Sequence, residues 1–349
     1  MRIVIEAMSF RIAILGASGY AGGELVRLVD GHPGLDLVHV AGHTSAGDRL
    51  GSVHPQLRGG DRVIHRIDPD AVDADLAFLA LPHGASAAPA HRLRERGVRV
   101  VDLGSDYRLS TPERYEEAYG AAHPHPEQLG RWVYGLPELF ADRIASSKQV
   151  AAAGCYPTAV ILALEPLLAS GLVGLAVVVD ALSGVTGAGR SAKPELSFGA
   201  IDESVAAYGV HTHRHRPEME QVLTDCAGVP ATVVFTPHLV PMQRGLLATC
   251  YATAARRDLG RDDVVACLEK AYAGAPFVEV IDRPPQTRWV VGSNRCLISA
   301  HVDPRTRTVI VLSAIDNLMK GAAGQAVQCA NLMLGLSEET GLPVDGWLP

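Results

Sequence analysis

The residues Ala152-Ala153-Gly154-Cys155-Tyr156-Pro157-Thr158 deliver a cysteine to what reads as the junction between a strand and a helix. Gly154 lets the backbone turn tightly, and Pro157 suits the first turn of a helix, where its missing N–H costs nothing. A thiol at a helix N-terminus feels the positive end of the helix dipole, which favours the thiolate and makes the sulfur a nucleophile at neutral pH. The other reading of a free cysteine is a small buried hydrophobe, and the nucleophilic reading needs a histidine elsewhere in the chain. The run His211-Thr212-His213-Arg214-His215-Arg216-Pro217-Glu218 offers one. His213 and His215 alternate, so in an extended backbone they share a face, and Pro217-Glu218 then begin a helix. Three readings stand: an acid/base partner for Cys155, a solvated basic loop, and a metal chelate. No acidic or cysteine ligand set completes a chelate, so no metal is expected. His215, held at the mouth of the following helix, is the main acid/base candidate and His213 the second.

A second constellation is Gly16-Ala17-Ser18-Gly19-Tyr20-Ala21-Gly22. It follows the β-type run Phe10–Leu15 and precedes the helical run Glu24–Val29. A strand, glycines at three-residue intervals and then a helix is a setting in which backbone N–H groups and a helix N-terminus bind phosphate. The spacing is G-x-x-G-x-x-G rather than G-x-G-x-x-G, and a merely tight turn is the alternative. Gly16, Ser18, Gly19, Tyr20 and Ala21 are therefore candidate dinucleotide-binding residues. The next strand ends in Ala41-Gly42-His43-Thr44-Ser45, with no acid to engage a ribose 2′-hydroxyl and repel a 2′-phosphate. Thr44 and Ser45 can donate to such a phosphate, which points to NADP(H) over NAD(H). Asp48 is the one acid near this strand end, and Arg49 beside it is expected to offset its charge.

A third set is cationic: Tyr107-Arg108, the glycine-rich loop Ser183 to Arg190 with Lys193, Gln243-Arg244-Gly245, and Arg288. Arginines on such loops suit bidentate capture of phosphate or carboxylate, and surface charge is the alternative. Arg108, Arg190, Lys193 and Arg244 are the candidate substrate ligands. Ser183, Gly184 and Asn317 are assigned to the cofactor. Gly292-Ser293-Asn294-Arg295-Cys296 reads as a turn carrying polar groups into a strand, and Asp316-Asn317-Leu318 sits where a strand feeds the last helix.

The elements that must position these groups follow from pattern. Strands are expected at Phe10–Leu15, Asp36–Ala41, Asp75–Leu81, Val98–Leu103 and Val150–Ala153, alternating with helices, which implies a doubly wound parallel sheet. Ligands sit beyond the carboxyl ends of such strands, where the Gly-rich and polar loops that follow these strands lie, Cys155 included. Further strands are expected at Leu175–Ala181, Thr232–Thr236, Leu246–Thr253, Phe277–Ile281 and Val309–Ser313. A helix at Asp262–Ala273 stops at Gly274, and a last helix at Leu318–Leu334 is capped by Gly335. This half reads as an α+β domain with a mixed or antiparallel sheet.

Composition bounds the function classes. The chain has 349 residues, 48% hydrophobic and 20% charged, enough for about two domains. The net charge of −7 disfavours a general affinity for nucleic acid. No apolar run reaches the roughly 18 residues that span a membrane. The six cysteines are scattered, without the pairs of a zinc site or a secreted disulfide framework. The segment Met1–Met8 does not read as a signal peptide, Met8 is a second candidate start, and the expected compartment is the cytoplasm.

Together these motifs resemble the N-acetyl-γ-glutamyl-phosphate reductase family of arginine biosynthesis, related to aspartate-semialdehyde dehydrogenase. The carrying stretches are Gly16–Gly22, Ser105-Asp106-Tyr107-Arg108-Leu109, Gly154–Thr158, His213–His215 with Pro217-Glu218, Pro237-His238-Leu239 with Pro241 and Arg244-Gly245, Gly292-Ser293-Asn294, and Asp316 through Ala326. The resemblance implies a Rossmann-type NADP-binding domain at residues 1–155, completed by a C-terminal helix within 318–349. It implies an α+β catalytic and dimerisation domain of the semialdehyde dehydrogenase type at 156–317, in a homodimer or homotetramer acting on a small-molecule substrate. It also implies Cys155 as nucleophile and a histidine of the His213/His215 pair as acid/base. The rival activities are an aspartate-semialdehyde dehydrogenase-like reductase of another acyl phosphate, a non-redox Cys/His acyltransferase or hydrolase, and a nucleotide sensor without catalysis.

Overall fold

The computed structural model describes residues 9–347; the candidate start residues Met1 and Met8 lie outside the described residues. Along residues 10–152 the elements are β1 (Phe10–Leu15), α1 (Tyr20–Asp30), β2 (Leu35–Gly42), α2 (Leu50–Val53), β3 (His65–Arg66), β4 (Leu76–Leu79), α3 (Ala87–Glu95), β5 (Arg99–Asp102), α4 (Pro112–Tyr119), β6 (Val133–Gly135), α5 (Pro137–Ala145) and β7 (Gln149–Ala152). They continue with α6 (Cys155–Ala169), β8 (Val173–Gly184), α7 (Phe198–Ile201), β9 (Ala206–Ala207), α8 (Arg216–Ala227), β10 (Thr232–Val240), β11 (Leu246–Ala254), α9 (Arg261–Ala271), β12 (Val278–Val280), β13 (Cys296–Asp303), β14 (Thr308–Ile315) and α10 (Gly324–Met333).

The chain forms two compact units. The first holds residues up to 110, 124–152 and 323–342; the second holds 111–123, 153–322 and the residues from 343 onward. Three segments fall outside the expected division, among them residues 153–155 with Cys155, which lie in the second unit. Residues 111–123, with α4, join the second unit, and only 323–342 of the C-terminal region joins the first. The expected helix at Leu318–Leu334 is also corrected: Met319–Ala323 is π-helical, and the α-helix begins at Gly324.

The first unit is a seven-stranded sheet in the order β3-β2-β1-β4-β5-β7-β6. Every neighbouring pair is parallel. Its central strands carry continuous apolar runs, with Ile12 to Leu15 and Leu76 to Leu79 all at 0% exposure, as burial on both faces requires. The strand order reverses at β1, whose neighbours are β2 and β4, so the ligand crevice of this topology lies at the carboxyl ends of β1 and β4.

The second unit is a mixed seven-stranded sheet in the order β12-β13-β14-β11-β8-β10-β9. Its β8/β10 and β12/β13 pairs are parallel, while β8/β11, β11/β14 and β13/β14 are antiparallel. Helix α6 packs against α8, α9 and strands of this sheet. Residues Ala159 to Leu164 are fully buried, so this helix is apolar all round rather than striped. Among the described residues no helix is long and apolar enough to cross a membrane.

Candidate active site

In the first unit the glycine loop joins β1 to α1. The amides of Gly16 and Ala17 both donate to the Ala41 carbonyl, at 2.8 and 2.9 Å, which ties the loop to the end of β2. Gly16 has φ +97°, and a side-chain carbon there would stand 2.2 Å from the Ala80 carbonyl oxygen; one at Gly22 would stand 2.1 Å from that of Gly16. The spacing is therefore steric: Gly16 and Gly22 let the strand end, the loop and the helix close on one another. Gly19 is the N-cap of α1, so the helix N-terminus opens on this loop. These are the features of a dinucleotide phosphate cradle. Ser18, Gly19, Tyr20 and Ala21 occupy its rim and the first turn of α1.

β2 ends at Gly42, and His43, Thr44 and Ser45 form a bend and turn, with Thr44 exposed. A side-chain carbon at Gly42 would lie 3.2 Å from Ser18 Oγ, so the glycine loop and this strand end are neighbours. Asp48 is exposed in the same turn. Arg49 does not offset it as expected: its guanidinium pairs with Asp61 at 2.8 Å.

The loops after β4 and β5 are joined by Asp106, which the site assignments from sequence left out. Its carboxylate accepts from the amides of Gly84, Ser86 and Ala87 at 2.7, 3.1 and 3.0 Å and lies 3.0 Å from His83 Nδ1. The Ser86 hydroxyl bridges Asp106 and the fully buried Asp102, at 3.0 and 2.9 Å. Burial, with the neighbouring Asp106 charge, pushes the Asp102 carboxyl up to about 7. Arg108 is buried, with Nη2 donating to the Leu103 carbonyl at 2.8 Å.

Cys155 lies in the second unit as the first residue of α6, partly exposed, after Gly154 as N-cap. The turn is gripped from outside. The Gly154 amide donates to Oε1 of Glu218 at 2.8 Å, and Glu218 is buried. Thr158 returns both its amide and its hydroxyl to the Gly154 carbonyl at 2.9 Å. On the other side, a side-chain carbon at Gly321 would stand 2.7 Å from Cys155 Cβ, so the π-helical segment approaches the cysteine where it carries no side chain. Such segments concentrate at functional sites.

Helix α8 carries both remaining groups: His215 is its N-cap and Glu218 its third residue. The expected extended backbone is corrected. Residues 211–215 form turns, and His211 has φ +52°. The imidazoles meet edge to face, with centroids 4.8 Å apart, and Nδ1 of His213 accepts from the His215 amide at 3.1 Å. The Tyr156 ring, next to Cys155, packs against His213 and His215 with centroids 5.6 and 6.0 Å away. Burial and the adjacent Arg214 push His213 down to about 4, so its imidazole is neutral at pH 7. Tyr208 bonds the Tyr156 hydroxyl at 3.1 Å and is pushed up to about 12 by burial.

The Asp316-Asn317 pair organises the loops after β8, β10 and β14. Asp316 is fully buried and accepts from the amides of Gly292, Leu318 and Met319 at 2.8, 2.8 and 3.2 Å, and from Arg244 Nη1 at 3.3 Å. The Arg244 guanidinium also lies over Trp347, 5.5 Å from the ring centre. Asn317 accepts from the Gly245 amide at 2.8 Å and donates to the Thr186 hydroxyl at 2.9 Å. Gly184 donates to the Gly245 carbonyl, and a side-chain carbon there would meet the Gln243 carbonyl at 2.6 Å. Ser183 is buried beside it, whereas Arg190 and Lys193 are exposed on the loop beyond.

The structure thus gathers Cys155, His213, His215, Ser183, Gly184, Arg244 and Asn317 in the second unit, and Gly16 to Ala21, Thr44, Ser45 and Arg108 in the first. Among the described residues one His/His/Glu group has ligand atoms within 4.8 Å of one another: His91, His125 and Glu127. Its imidazoles are stacked, with centroids 4.4 Å apart and an interplanar angle of 12°, so their lone pairs lie in separate, nearly parallel planes.

An all-parallel sheet whose first strand ends in a glycine loop, and a second unit with a cysteine at a helix N-terminus next to a tyrosine packed on two histidines, is an arrangement that suits a nucleotide-dependent dehydrogenase using a thiol. The comparisons give that class its family. The semialdehyde dehydrogenase NAD binding domain matches residues 11–147, and the semialdehyde dehydrogenase dimerisation domain matches residues 155–317. The N-acetyl-γ-glutamyl-phosphate reductase of Salinispora tropica is 50% identical over 98% of this chain and 100% of its own length. That of Moorella thermoacetica is 46% identical over 97% of this chain and 99% of its own. Aspartate semialdehyde dehydrogenase with NADP from Candida albicans superposes with a TM-score of 0.71 at 17% identity, covering 93% of this chain and 98% of that one. Aspartate semialdehyde dehydrogenase II complexed with ASA from Vibrio cholerae gives 0.69 at 20% identity, covering 94% and 99%. The chain belongs to the semialdehyde dehydrogenase family, among its N-acetyl-γ-glutamyl-phosphate reductases.

Proposed function

We propose that this protein reduces N-acetyl-γ-glutamyl phosphate to N-acetylglutamate 5-semialdehyde and phosphate, with a nicotinamide cofactor, in arginine biosynthesis. The observation that carries the reading is identity of 46–50% over nearly the whole of relatives bearing that name. The NAD binding domain match sets aside a non-redox hydrolase.

The residue roles that follow are part of this proposal, and the geometry supports them. Cys155 attacks the acyl carbon and expels phosphate, leaving a thioester on its sulfur. The helix α6 N-terminus favours the developing negative charge there. The amide groups of that first turn suit the tetrahedral oxyanion. When bound, the nicotinamide supplies a hydride to the acyl carbon. Collapse of the resulting hemithioacetal frees the aldehyde and returns the thiolate. His215 is assigned as the acid/base: a His213 pushed down to about 4 is a poor proton donor at neutral pH, and its Nδ1 already accepts from the His215 amide. Glu218 is a positioning residue: one helix fixes both the histidine and the turn that carries the cysteine.

The cofactor is NADP(H) by the absence of an acid at the end of β2, with Thr44 and Ser45 as donors to the 2′-phosphate. Ser183, Gly184 and Asn317 belong to the cofactor set, and Arg108, Arg190, Lys193 and Arg244 to the anionic substrate. The protomers pair through the face of the second sheet that carries Val178 and Val234, cross-strand neighbours exposed by 43% and 62%. Val234→Asp is expected to reduce the sedimentation mass to that of one chain. The deciding assay follows NADPH absorbance in the reverse direction, with N-acetylglutamate semialdehyde, phosphate and NADP. Phosphate-dependent formation of NADPH supports the reading, and its absence, with turnover of aspartate semialdehyde instead, overturns it.

A further inference from the structure

His54 caps the C-terminal end of the short helix α2 and is buried at 4% exposure. Its Nε2 lies 2.9 Å from the carbonyl oxygen of Ala17, in the middle of the glycine loop. A carbonyl only accepts, so the bond fixes Nε2 as the protonated nitrogen. The ring rests on α1 at Gly23, where a side-chain carbon would stand 2.4 Å from its Cε1. Gly23 is not part of the three-residue glycine repeat, and glycine inside a helix costs about 1 kcal/mol relative to alanine. The imidazole explains its presence.

Ala17 is therefore held from both sides. Its amide donates to Ala41, and its carbonyl accepts from His54. The peptide unit between Ala17 and Ser18 is planar and trans, so a carbonyl drawn toward the buried imidazole turns the Ser18 N–H the opposite way. Ser18 and Gly19 are the partly exposed residues at the N-terminus of α1.

We propose that His54 is a positioning residue for the dinucleotide: by binding the Ala17 carbonyl it aims the Ser18 amide at the pyrophosphate. The inference rests on the reading of this loop as the phosphate cradle. No sequence motif announces it, because His54 lies more than thirty residues beyond the loop it orients.

The test measures NADPH binding by fluorescence alongside steady-state kinetics, for the wild type, His54→Phe and His54→Gln. Phenylalanine keeps the ring and removes the donor; glutamine keeps an N–H donor. With the donor gone, Kd and KM for NADPH are expected to rise roughly tenfold, the scale of one hydrogen bond to a charged ligand. The kcat at saturating NADPH and the KM for acyl phosphate should stay within about twofold, and His54→Gln should recover part of the loss. A merely structural histidine would lower kcat or raise both KM values together, which overturns the proposal, as does unchanged NADPH binding in His54→Phe. If that variant does not fold, the ring ¹⁵N shifts of His54 in the wild type decide. Protonation at Nε2, with a shift on adding NADPH, supports the proposal, and protonation at Nδ1 alone contradicts it. Wild-type protein that binds no NADPH would instead refute the cradle reading itself.

Discussion

The loop at Gly16–Gly22 and the turn at Gly154–Cys155 are the same device built twice: a parallel strand ends, the chain turns tightly, and a helix begins. They are held in opposite ways. The first closes by absence, since Gly16 and Gly22 stand where any side chain would strike a neighbouring backbone atom. The second closes by a distant side chain, the buried Glu218 carboxylate gripping the Gly154 amide across 64 residues of sequence. A ligand that brings its own charge is met by backbone amides, whose direction a side chain behind the loop can set. A group that must itself react needs its direction fixed, and an acid/base fixed with it.

The largest effect expected from breaking the comparison is at the reacting atom. Cys155→Ala should leave less than about a hundredth of wild-type turnover while NADPH binding stays near wild type, since the cradle is a separate construction; acid/base assistance alone is worth roughly 10²–10⁴-fold. The same contrast predicts that iodoacetamide labels Cys155 ahead of the other cysteines at pH 7. Cys250, Cys296 and Cys329 are buried, and burial pushes Cys226 up to about 11.

Next is the histidine pair. His215→Asn should lower kcat by roughly 10²–10⁴ and remove one limb of the pH–rate profile. His213→Asn should keep that limb. An exchange of the two phenotypes would reverse the assignment.

Smaller, and most specific to the way the cysteine turn is held, is Glu218. Glu218→Ala leaves the buried Gly154 amide without its acceptor, which costs about 1–3 kcal/mol of stability. It should also cut kcat by up to roughly 10²-fold through misplacement of the sulfur. Glu218→Gln retains an acceptor oxygen and should recover most of kcat. Failure of glutamine to do so would show that the carboxylate acts by charge rather than by position.

The smallest effect is on stability alone, at the strand ends of the first unit. Burial pushes the Asp102 carboxyl up to about 7, well above the ordinary range of an aspartate. Between about pH 4 and pH 7 the folded chain therefore binds a proton that the unfolded chain has lost, and this residue makes stability fall as pH rises through that window. Asp102→Asn should flatten that part of a melting-temperature profile. An unchanged slope would mean that Asp106 or another group carries the proton.

The same comparison explains what was legible in the sequence. The glycine cradle was readable because its determinants are local: a strand, glycines at fixed intervals and a helix. Cys155 was readable as the residue between a strand and Pro157. The parallel and mixed sheets followed from apolar runs and their spacing. Glu218 and Asp106 were not assigned roles, because a carboxylate that accepts from a backbone amide in another loop leaves no periodicity behind. The alternation of His213 and His215 suggested an extended face, but the turn at 211–215 overrode it and brought the rings together by another route. Helix α4 has the local signals of Thr111 as N-cap, Pro112 at the first position and Gly120 at φ +70°, but its eight residues bury only Tyr115 and so carry no apolar stripe. The π-helical start before α10 has no signature beyond Gly321, whose missing side chain makes room for Cys155.

The central claim is that Cys155 carries the acyl group. It is tested most directly by mixing the protein with N-acetyl-γ-glutamyl phosphate in the absence of NADPH, quenching in acid and weighing the peptides. The account predicts release of phosphate in a burst close to one per active site, with the N-acetylglutamyl mass on the peptide containing Cys155 and removed by hydroxylamine. An unmodified Cys155 peptide with no phosphate burst, in a preparation that turns over once NADPH is added, would contradict it.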